Sequence, residues 1–236
     1  MIYVADISGC DSEQLKSLVC RERADYANRY KQEPDRVRSL GVAALLSKAL
    51  LREGYTDHSP VTLLHDADDR PYIAMLDRRS GDINQPPFFS LSHAGDFVAV
   101  VLDDAPVGID IERVRPYKES LAKRYFMKEE QDYIDSFAGE SSDERDLAFT
   151  AIWTLKESFL KMTGKGLKFG LDTFSAACKD KEKGTFSYRH DFDEGDYIGQ
   201  VLNAPDGYVL SVCMRTTGGL CPEAQDIHYV NLQEAI

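Results

Sequence analysis

The sequence predicts a mixed α/β (α+β) fold of two halves, each of which combines short strands with one long helix. Two long helices are expected at residues 39–54 and 141–163, because apolar side chains recur there at helical spacing. Alternating, strand-like segments precede and follow each helix. The turn at residues 103–106, Asp-Asp-Ala-Pro, lies near the midpoint of the chain. We therefore expect an N-terminal half at residues 1–105 and a C-terminal half at residues 106–236.

The first half is expected to begin with a strand, because residues 2–7 alternate in the manner of a strand. A charged stretch follows at residues 21–38, where apolar residues are too sparse for a helix deep in the core. The strong helix that comes next ends at Gly54. The other expected features are a strand–turn–strand at 60–76 with its turn at 68–71, a loop at 81–87, and two short strands at 88–104 around residues 94–96.

The second half is expected to begin with a strand at residues 107–112 and a helix or helix pair at residues 117–137. A polar break follows at residues 139–143, within which Ser141 forms a capping box with Glu144 at the start of the long helix. The features expected after this helix are a stop at residues 164–166 and strands at 174–178, 185–192, 196–202, 208–215 and 227–232.

Composition and charge narrow the class of protein. Of the 236 residues, 43% are hydrophobic and 29% are charged, which is ordinary for a globular protein. The net charge of −12 repels nucleic acid backbones and anionic membranes. The first residues do not form a signal peptide, and no stretch approaches the ~18 apolar residues of a membrane span. We therefore expect a cytoplasmic protein that binds neither nucleic acid nor membrane.

The cysteines and histidines do not indicate a disulfide framework or a soft-metal site. The five cysteines are scattered and include no closely spaced pair, and the five histidines are equally dispersed. Reduced thiols are the expectation for Cys10, Cys20, Cys178, Cys213 and Cys221.

The strand at residues 107–112 carries two carboxylates on one face. Side chains alternate along a strand, so Gly108, Asp110 and Glu112 lie on the face opposite the three apolar residues. Two carboxylates this close repel each other unless water, a basic partner or a hard cation compensates their charge. Gly108 beside them would leave room for a ligand to approach. An edge strand with a solvated polar face is the alternative.

The long helix is apolar on two sides. One apolar stripe consists of Ala148, Ile152, Leu155, Phe159 and Met162, and the other of Phe149, Trp153 and Leu160. Glu157 and Lys161 are one turn apart and border the second stripe, and Lys156 lies between the two stripes. A helix of this kind is expected to be enclosed on both sides, so its charged residues face a cleft or an interface. The alternative is an exposed Glu–Lys pair that contributes ~0.3–0.5 kcal/mol.

A third segment combines a hydroxyl with an imidazole. Ser92 and His93 come at the end of a predicted strand and shortly before Gly95. A serine next to a protonated histidine is a reasonable anion site. A histidine with a purely structural role is the alternative.

Together and in this order, the three segments resemble those of 4′-phosphopantetheinyl transferases of the surfactin-synthetase (Sfp) type. That pattern is a Ser-His strand end, a Gly-Ile-Asp-x-Glu strand, and a Trp-x-x-Lys-Glu-x-x-x-Lys helix that ends in Gly-x-Gly. The matching segments here are Ser92-His93, residues 108–112, residues 153–161 and residues 164–167. Weaker similarity extends from Arg38 to the last strand, so the resemblance covers nearly the whole chain.

The resemblance implies a pseudo-symmetric fold of two similar halves, with coenzyme A (CoA) bound in a cleft between them. It implies Mg²⁺ on Asp110, Glu112 and Glu157. It assigns Arg38 and His93 to the 3′-phosphate of CoA. The other residues that it assigns to CoA are Ser92, Lys156, Lys161, Arg70 and Arg23. Arg29 is a second match for the position of Arg23, because this region aligns poorly. Arg70 replaces a lysine that is frequent in the family, and the two residues bind phosphate differently.

The activity that the resemblance implies is transfer of the 4′-phosphopantetheine arm of CoA to a serine of an apo acyl or peptidyl carrier protein, with release of 3′,5′-ADP. Lys161 is assigned to the diphosphate and the leaving group. The base that activates the carrier serine is Glu157, directly or through a metal-held water, or alternatively Glu130. An internal pseudo-dimer of this kind can act as a monomer.

Two other functions fit the same residues. One is a Mg²⁺-dependent hydrolase that cleaves CoA or a nucleotide diphosphate with water, and the other is a non-catalytic CoA-binding module. A hydrolase would release 3′,5′-ADP steadily from CoA without a carrier, whereas a transferase would not. The retention of Asp110, Glu112, Glu157 and Lys161 argues against a simple binding module. The sequence leaves open whether the carrier belongs to fatty acid, polyketide or nonribosomal peptide synthesis.

Overall fold

A computed structural model describes every residue except 58, 68–69, 75–86, 140, 167–168, 192, 217–226 and 235–236. The tip of the first predicted turn, most of the predicted loop at 81–87, Leu167 and Cys221 therefore lie outside the described residues. The chain divides into two compact units, Met1–Asp104 with Asp226–Ile236, and Ala105–Gln225. This differs from the predicted division at one point: the end of the chain lies with the first unit rather than the second.

The first unit is a four-stranded sheet packed on a long helix. The sheet has the strand order β11-β1-β5-β4, in which β1 pairs antiparallel with β5 and parallel with β11. The pairing with β1 explains why the end of the chain belongs to this unit. Its elements are β1 (Ile2–Asp6), α1 (Ser12–Lys16), α2 (Arg21–Ala27), α3 (Glu33–Arg52), β2 (Leu63–His65), β3 (Pro71–Ile73), β4 (Phe88–Ala94), β5 (Phe97–Asp103) and β11 (Ile227–Tyr229).

Helix α3 provides the core of the first unit. It is buried continuously from Ser39 to Leu50 and packs against Val98, Val100 and Leu102 of β5. The helix begins six residues earlier than predicted, because Pro34 occupies its first turn, where a missing N–H has no cost. The charged stretch before Ser39 thus forms the short α2 and the start of α3. The predicted strand pairs β2–β3 and β4–β5 are confirmed.

The second unit is a five-stranded sheet packed on the other long helix. The strand order is β6-β10-β9-β8-β7, and every neighbouring pair is antiparallel. Its helices α4 and α5 are the predicted pair. The elements are β6 (Val107–Arg113), α4 (Glu119–Tyr125), α5 (Lys128–Asp135), α6 (Ser142–Thr163), a 3-10 turn (Leu171–Thr173), β7 (Ser175–Asp180), β8 (Thr185–Arg189), β9 (Tyr197–Leu202) and β10 (Tyr208–Arg215).

Local signals set the ends of α6, where the Ser141 half of the predicted capping box is present. The Ser141 side chain accepts a hydrogen bond from the Glu144 backbone N–H, which satisfies one of the free amides of the first turn. Gly164 follows the last turn at a φ of 64°, a conformation that glycine adopts without steric cost. The prediction of a long helix between these residues is confirmed.

Helix α6 is enclosed on both of its apolar sides. The ring of Phe159 stacks on Tyr188 of β8, so the first stripe faces the sheet. Phe149 and Trp153 of the second stripe contact Phe126, which follows α4. The predicted enclosure is confirmed, and it explains why a helix with charged residues at 156, 157 and 161 is largely buried.

The two units share one order of elements. In each, a first strand is followed by two short helices and one long helix, and the last antiparallel strand of the unit pairs with the first. The predicted α+β class is therefore confirmed, and the shared order is compatible with two similar halves. Within the described part of the chain, no helix combines the length and the apolarity needed to cross a membrane.

Candidate active site

Backbone contact between β6 and α6 determines the geometry of the candidate site. Gly108 lies beneath α6, and a Cβ atom there would be 1.9 Å from the carbonyl oxygen of Ser158 and 2.7 Å from the amide nitrogen of Met162. The expectation that Gly108 leaves room for a ligand is therefore wrong, because the helix itself fills that space. The close approach places the polar face of β6 directly against the charged part of α6.

Asp110 and Lys161 join the strand to the helix. The Asp110 side chain is 7% exposed, and its Oδ1 atom accepts a hydrogen bond from Lys161 Nζ at 2.8 Å. The Lys161 side chain is 31% exposed, so its ammonium group pairs with a buried carboxylate while part of the side chain stays accessible to solvent. On the same face of β6, Glu112 accepts a hydrogen bond from Arg115 Nη2 at 2.6 Å. Each strand carboxylate thus has a basic partner.

Three carboxylates of this unit act on one another through space. Burial, followed by the charge of Asp110, raises the pKa of Glu157 to about 7, and Glu112 adds to the rise while Lys161 opposes it. Burial and then Asp110 also raise the pKa of Glu112, against the effect of Arg115. The cluster of Asp110, Glu112 and Glu157 therefore concentrates negative charge that a cation would stabilise.

The chemistry of these donors suits a hard divalent cation. Carboxylate oxygens are the ligands that Mg²⁺ prefers, and two basic side chains already offset part of the charge. In the described part of the chain, however, no three His, Cys, Asp or Glu side chains are arranged so that they could hold a metal ion. Asp110, Glu112 and Glu157 fit the predicted ion by donor type and mutual influence, and their function as ligands stays a prediction.

Lys156 and Glu130 are placed differently from the prediction. Both side chains are fully buried, and Lys156 Nζ lies 2.7 Å from Glu130 Oε1 and 2.6 Å from the carbonyl oxygen of Phe174. Burial lowers the pKa of Lys156 and raises that of Glu130, while each charge opposes the shift of the other. Neither side chain is exposed to a substrate, so this geometry favours neither a CoA contact for Lys156 nor a catalytic base at Glu130.

A pocket opens beside Glu112. Its volume is about 180 Å³, and its exposed wall is mostly apolar. The ring of Trp153 forms one wall and packs against Tyr125 and Phe126. The residues that line the pocket are Glu112, Arg115, Pro116, Lys118, Leu121, Phe149, Thr150 and Trp153.

In the first unit, Arg38 contacts the turn that follows His93. Arg38 Nη1 donates a hydrogen bond at 3.5 Å to the carbonyl oxygen of Gly95, two residues beyond His93, and its Nη2 pairs with Asp35. His93 is exposed and pairs in register with Val98 of β5. Val98 lies against Gly41 of α3, which is one turn after Arg38. Arg38 and the exposed His93 thus both lie near the β4–β5 turn, and their function at the 3′-phosphate stays a prediction.

Ser92 lies on the opposite face of β4 from His93. It is 6% exposed, because successive residues of a strand point to opposite sides. The expectation that a hydroxyl and an imidazole lie side by side at Ser92-His93 is wrong for this reason.

The other predicted basic contacts of the first unit differ in exposure. Arg23 is 5% exposed and donates two hydrogen bonds to the carbonyl oxygen of Ser39 at 2.9 and 3.1 Å, so it joins α2 to α3. It also lies 3.3 Å from His65 Nε2, and its guanidinium and that of Arg29 lie over the ring of Tyr26. Arg70 is exposed and lies directly before β3. A structural function is thus evident for Arg23, whereas Arg70 stays available for a ligand.

The sequence reasoning missed two features of the second unit. Arg115 pairs with Glu112 from three residues downstream, a spacing that could have indicated the contact. Thr154 and Ser211 share a buried hydrogen bond of 2.7 Å between α6 and β10. No local pattern indicates this second contact, because the two residues are 57 positions apart.

Comparison with known proteins identifies the family. A family model described as the 4′-phosphopantetheinyl transferase superfamily matches residues 106–213. The chain is 31% identical over 205 residues to 4′-phosphopantetheinyl transferase psf-1 of Bacillus pumilus, covering 86% of this chain and 82% of that protein. It is 29% identical over 203 residues to 4′-phosphopantetheinyl transferase Sfp of Bacillus subtilis (strain 168), covering 86% and 85%.

A solved structure of Thermotoga maritima holo-[acyl-carrier-protein] synthase shares 20% identity with the chain. The structural alignment covers 47% of this chain and 62% of the synthase chain, with a TM-score of 0.37. This similarity is too low to support a family assignment. The extent of the two sequence matches is decisive, and the predicted family is confirmed: the chain belongs to the 4′-phosphopantetheinyl transferases.

Proposed function

We propose that this enzyme transfers the 4′-phosphopantetheine arm of CoA to a serine of an apo acyl or peptidyl carrier protein, and so forms the holo carrier. The observation that carries the proposal is the cluster of Asp110, Glu112, Glu157 and Lys161 between β6 and α6, in a chain of this family. In the reaction, the serine oxygen bonds to the phosphorus that bears the arm, and the bond from that phosphorus to the 3′,5′-ADP oxygen breaks.

Asp110, Glu112 and Glu157 would hold a Mg²⁺ ion. When bound, this ion supplies charge stabilisation for the diphosphate and for the leaving group. The enzyme's own contribution is to position the carboxylates, which requires the close packing of β6 on α6 at Gly108.

Lys161 is suited to the charge that builds on the leaving 3′,5′-ADP. Its ammonium group is anchored on Asp110 but about a third exposed, so it can also contact an anionic substrate. Glu157 is the preferred base for the carrier serine, because it belongs to this cluster, whereas Glu130 is fully buried and bonded to Lys156.

The pocket beside Glu112 suits the pantetheine arm. It begins at one of the carboxylates of the reacting centre, and its walls are mostly apolar. An arm that extends from the reacting phosphorus would enter it past Glu112, with Leu121 and Trp153 as its walls.

The remote phosphate of CoA would bind at Arg38 and His93 in the first unit, with Arg70 as a further basic contact. Charge-assisted hydrogen bonds of this type mainly contribute to binding, because the 3′-phosphate is remote from the reacting phosphorus. The monomeric state and the cytoplasmic location stay predictions.

Intact mass measurement of an apo carrier protein tests the proposal. Incubation with the enzyme, CoA and Mg²⁺ should add one phosphopantetheine to the carrier, and a carrier whose acceptor serine is replaced by alanine should gain nothing. Steady release of 3′,5′-ADP from CoA in the absence of any carrier would contradict the proposal and indicate a hydrolase.

A further inference from the structure

The fully buried ion pair between α5 and α6 has every hydrogen-bonding group satisfied. The three donors of Lys156 Nζ reach Glu130 Oε1 at 2.7 Å, Glu130 Oε2 at 2.8 Å and the carbonyl oxygen of Phe174 at 2.6 Å. Glu130 also accepts the backbone N–H groups of Met127 and Ala176, each at 2.7 Å. Both side chains are 0% exposed, so this arrangement excludes water and substrate.

These contacts tie α6 to two other elements at one point. Glu130 belongs to α5, and its bond to Ala176 reaches the start of β7. Lys156 adds the contact to Phe174, the residue before β7. A single side chain of α6 is therefore held by a helix and by the edge of the sheet.

Lys156 is the residue directly before Glu157 on the helix. Neighbouring helix positions are about 100° apart around the axis, so a fixed direction for Lys156 also fixes the direction of Glu157. On the sheet side, Thr154 is bonded to Ser211 and the backbone of Ser158 lies against Gly108. Contacts on two sides of the helix thus restrain its rotation next to Glu157.

We propose that the Glu130–Lys156 ion pair is a positioning device that sets the rotation of α6 and so holds Glu157 and Lys161 toward Asp110. The inference rests on the proposed function of these three residues. Side-chain ends lie about 5–6 Å from a helix axis, so a rotation of roughly 10° displaces them by about 1 Å. Misplacement by about 1 Å at a reacting centre can reduce turnover by roughly 10²-fold.

Stability alone does not account for this pair. Replacing a buried ion pair with apolar residues of similar volume is often neutral or stabilising, because desolvation offsets the attraction between the charges. A directional contact with five defined hydrogen bonds restrains orientation in a way that apolar packing does not.

The test uses the double variant Glu130→Gln with Lys156→Met, together with each single variant. The double variant removes both charges at nearly constant volume, whereas each single variant leaves one buried charge unpaired. Asp132→Asn is the matched control, since Asp132 also belongs to α5 but pairs at the surface with Lys128. Phe186→Leu, a substitution in the sheet core, controls for a loss of stability alone.

Two measurements are made on each folded variant. Mn²⁺ replaces Mg²⁺ as a probe of the carboxylate cluster, and its binding is measured from the EPR signal of the free ion, without turnover. Steady-state kinetics with CoA and an apo carrier then provide kcat and KM. We expect the double variant to bind Mn²⁺ at least ~5-fold more weakly, with kcat lowered at least ~10-fold and KM for CoA nearly unchanged.

The effects of the single substitutions are expected to be non-additive, because each breaks the same contact. Asp132→Asn should behave as the wild type, and Phe186→Leu should lower Tm without lowering kcat. A folded double variant with wild-type Mn²⁺ affinity and kcat would overturn the inference. Loss of turnover in Glu130→Gln, with wild-type turnover in folded Lys156→Met, would also overturn it and indicate a base at Glu130.

The Mn²⁺ measurement separates this inference from the proposed function. If the wild type modifies no carrier protein and yet its Mn²⁺ binding depends on the ion pair, the proposed function fails and the positioning of the carboxylates stands. If the wild type is an active transferase and the ion pair has no effect on either measurement, only the positioning fails.

Discussion

Gly108 of β6 and Ser158 of α6 meet backbone to backbone. A Cβ atom at Gly108 would lie 1.9 Å from the Ser158 carbonyl oxygen, a distance that no real pair of such atoms can adopt. The helix could accommodate a side chain here only by moving away from the strand, and it carries Glu157 and Lys161. The distance between strand and helix therefore also sets the distance between Lys161 and Asp110.

Gly108→Ala is expected to lower both stability and turnover. Insertion of one methyl group into a closely packed contact costs about 1–3 kcal/mol, and the displaced helix should lower kcat at least ~10-fold. Urea denaturation and steady-state kinetics measure the two effects. Gly139→Ala is the control, because a Cβ atom there would meet nothing within 4 Å. A stable and fully active Gly108→Ala enzyme would show that α6 is not held at this contact.

Removal of one carboxylate charge from the cluster is expected to reduce catalysis strongly. Asp110→Asn retains the shape of the side chain and an acceptor for Lys161 but loses the charge that would bind the cation. Turnover at ordinary Mg²⁺ concentrations should fall at least ~10²-fold. The exposed carboxylate of Asp132, which pairs with Lys128, provides the control variant Asp132→Asn. Near-normal turnover of both Asp110→Asn and Glu157→Gln would rule out the metal assignment.

His93→Ala is expected to reduce the preference for CoA over dephospho-CoA, which lacks only the 3′-phosphate. A charge-assisted hydrogen bond contributes about 1.5–3 kcal/mol, so KM for CoA should rise about tenfold or more while KM for dephospho-CoA changes little. Arg52→Ala, at the other end of α3, should leave the ratio of the two KM values unchanged. Equal damage to both substrates with a lowered Tm would instead indicate a structural histidine.

Leu121→Trp is expected to block the pocket beside Glu112. The larger ring should occupy much of the 180 Å³ and lower kcat/KM for CoA by roughly 10-fold or more, because the pantetheine arm is excluded. Product inhibition by 3′,5′-ADP, which lacks the arm, should stay nearly unchanged. Leu147→Trp places the same ring at an exposed position of α6 outside this pocket and serves as the control. Equal weakening of CoA and 3′,5′-ADP would contradict the assignment of the pocket to the arm.

Local sequence signals were sufficient for most of the secondary structure. Ser141 and Gly164 set the ends of α6 through a side-chain cap and a left-handed glycine, and both effects act within a few residues. The strand at residues 88–94 alternates in burial, and the strand at residues 107–113 alternates between apolar residues and the residues Gly108, Asp110 and Glu112, so both show the period of two that is typical of a strand. The ordered motifs on these elements were sufficient to indicate the family.

The alternation of side chains along a strand also indicates that Ser92 and His93 lie on different faces of β4. Adjacent strand residues point to opposite faces, so Ser92 and His93 could not have formed one site from a regular strand. The interpretation of Gly108 failed for another reason, since a strand pattern does not reveal whether a ligand or a helix fills the space above a glycine.

The sequence by itself determined the elements, the family and the residue types of the candidate site. Only the tertiary structure decided that Lys156 is bonded to Glu130, 26 positions away, while Lys161 extends to Asp110, 51 positions away. It also decided that the last strand pairs with the first strand of the chain. Helix and strand signals arise from interactions over a few residues, whereas ion pairs and strand pairing depend on which distant segments the fold brings together.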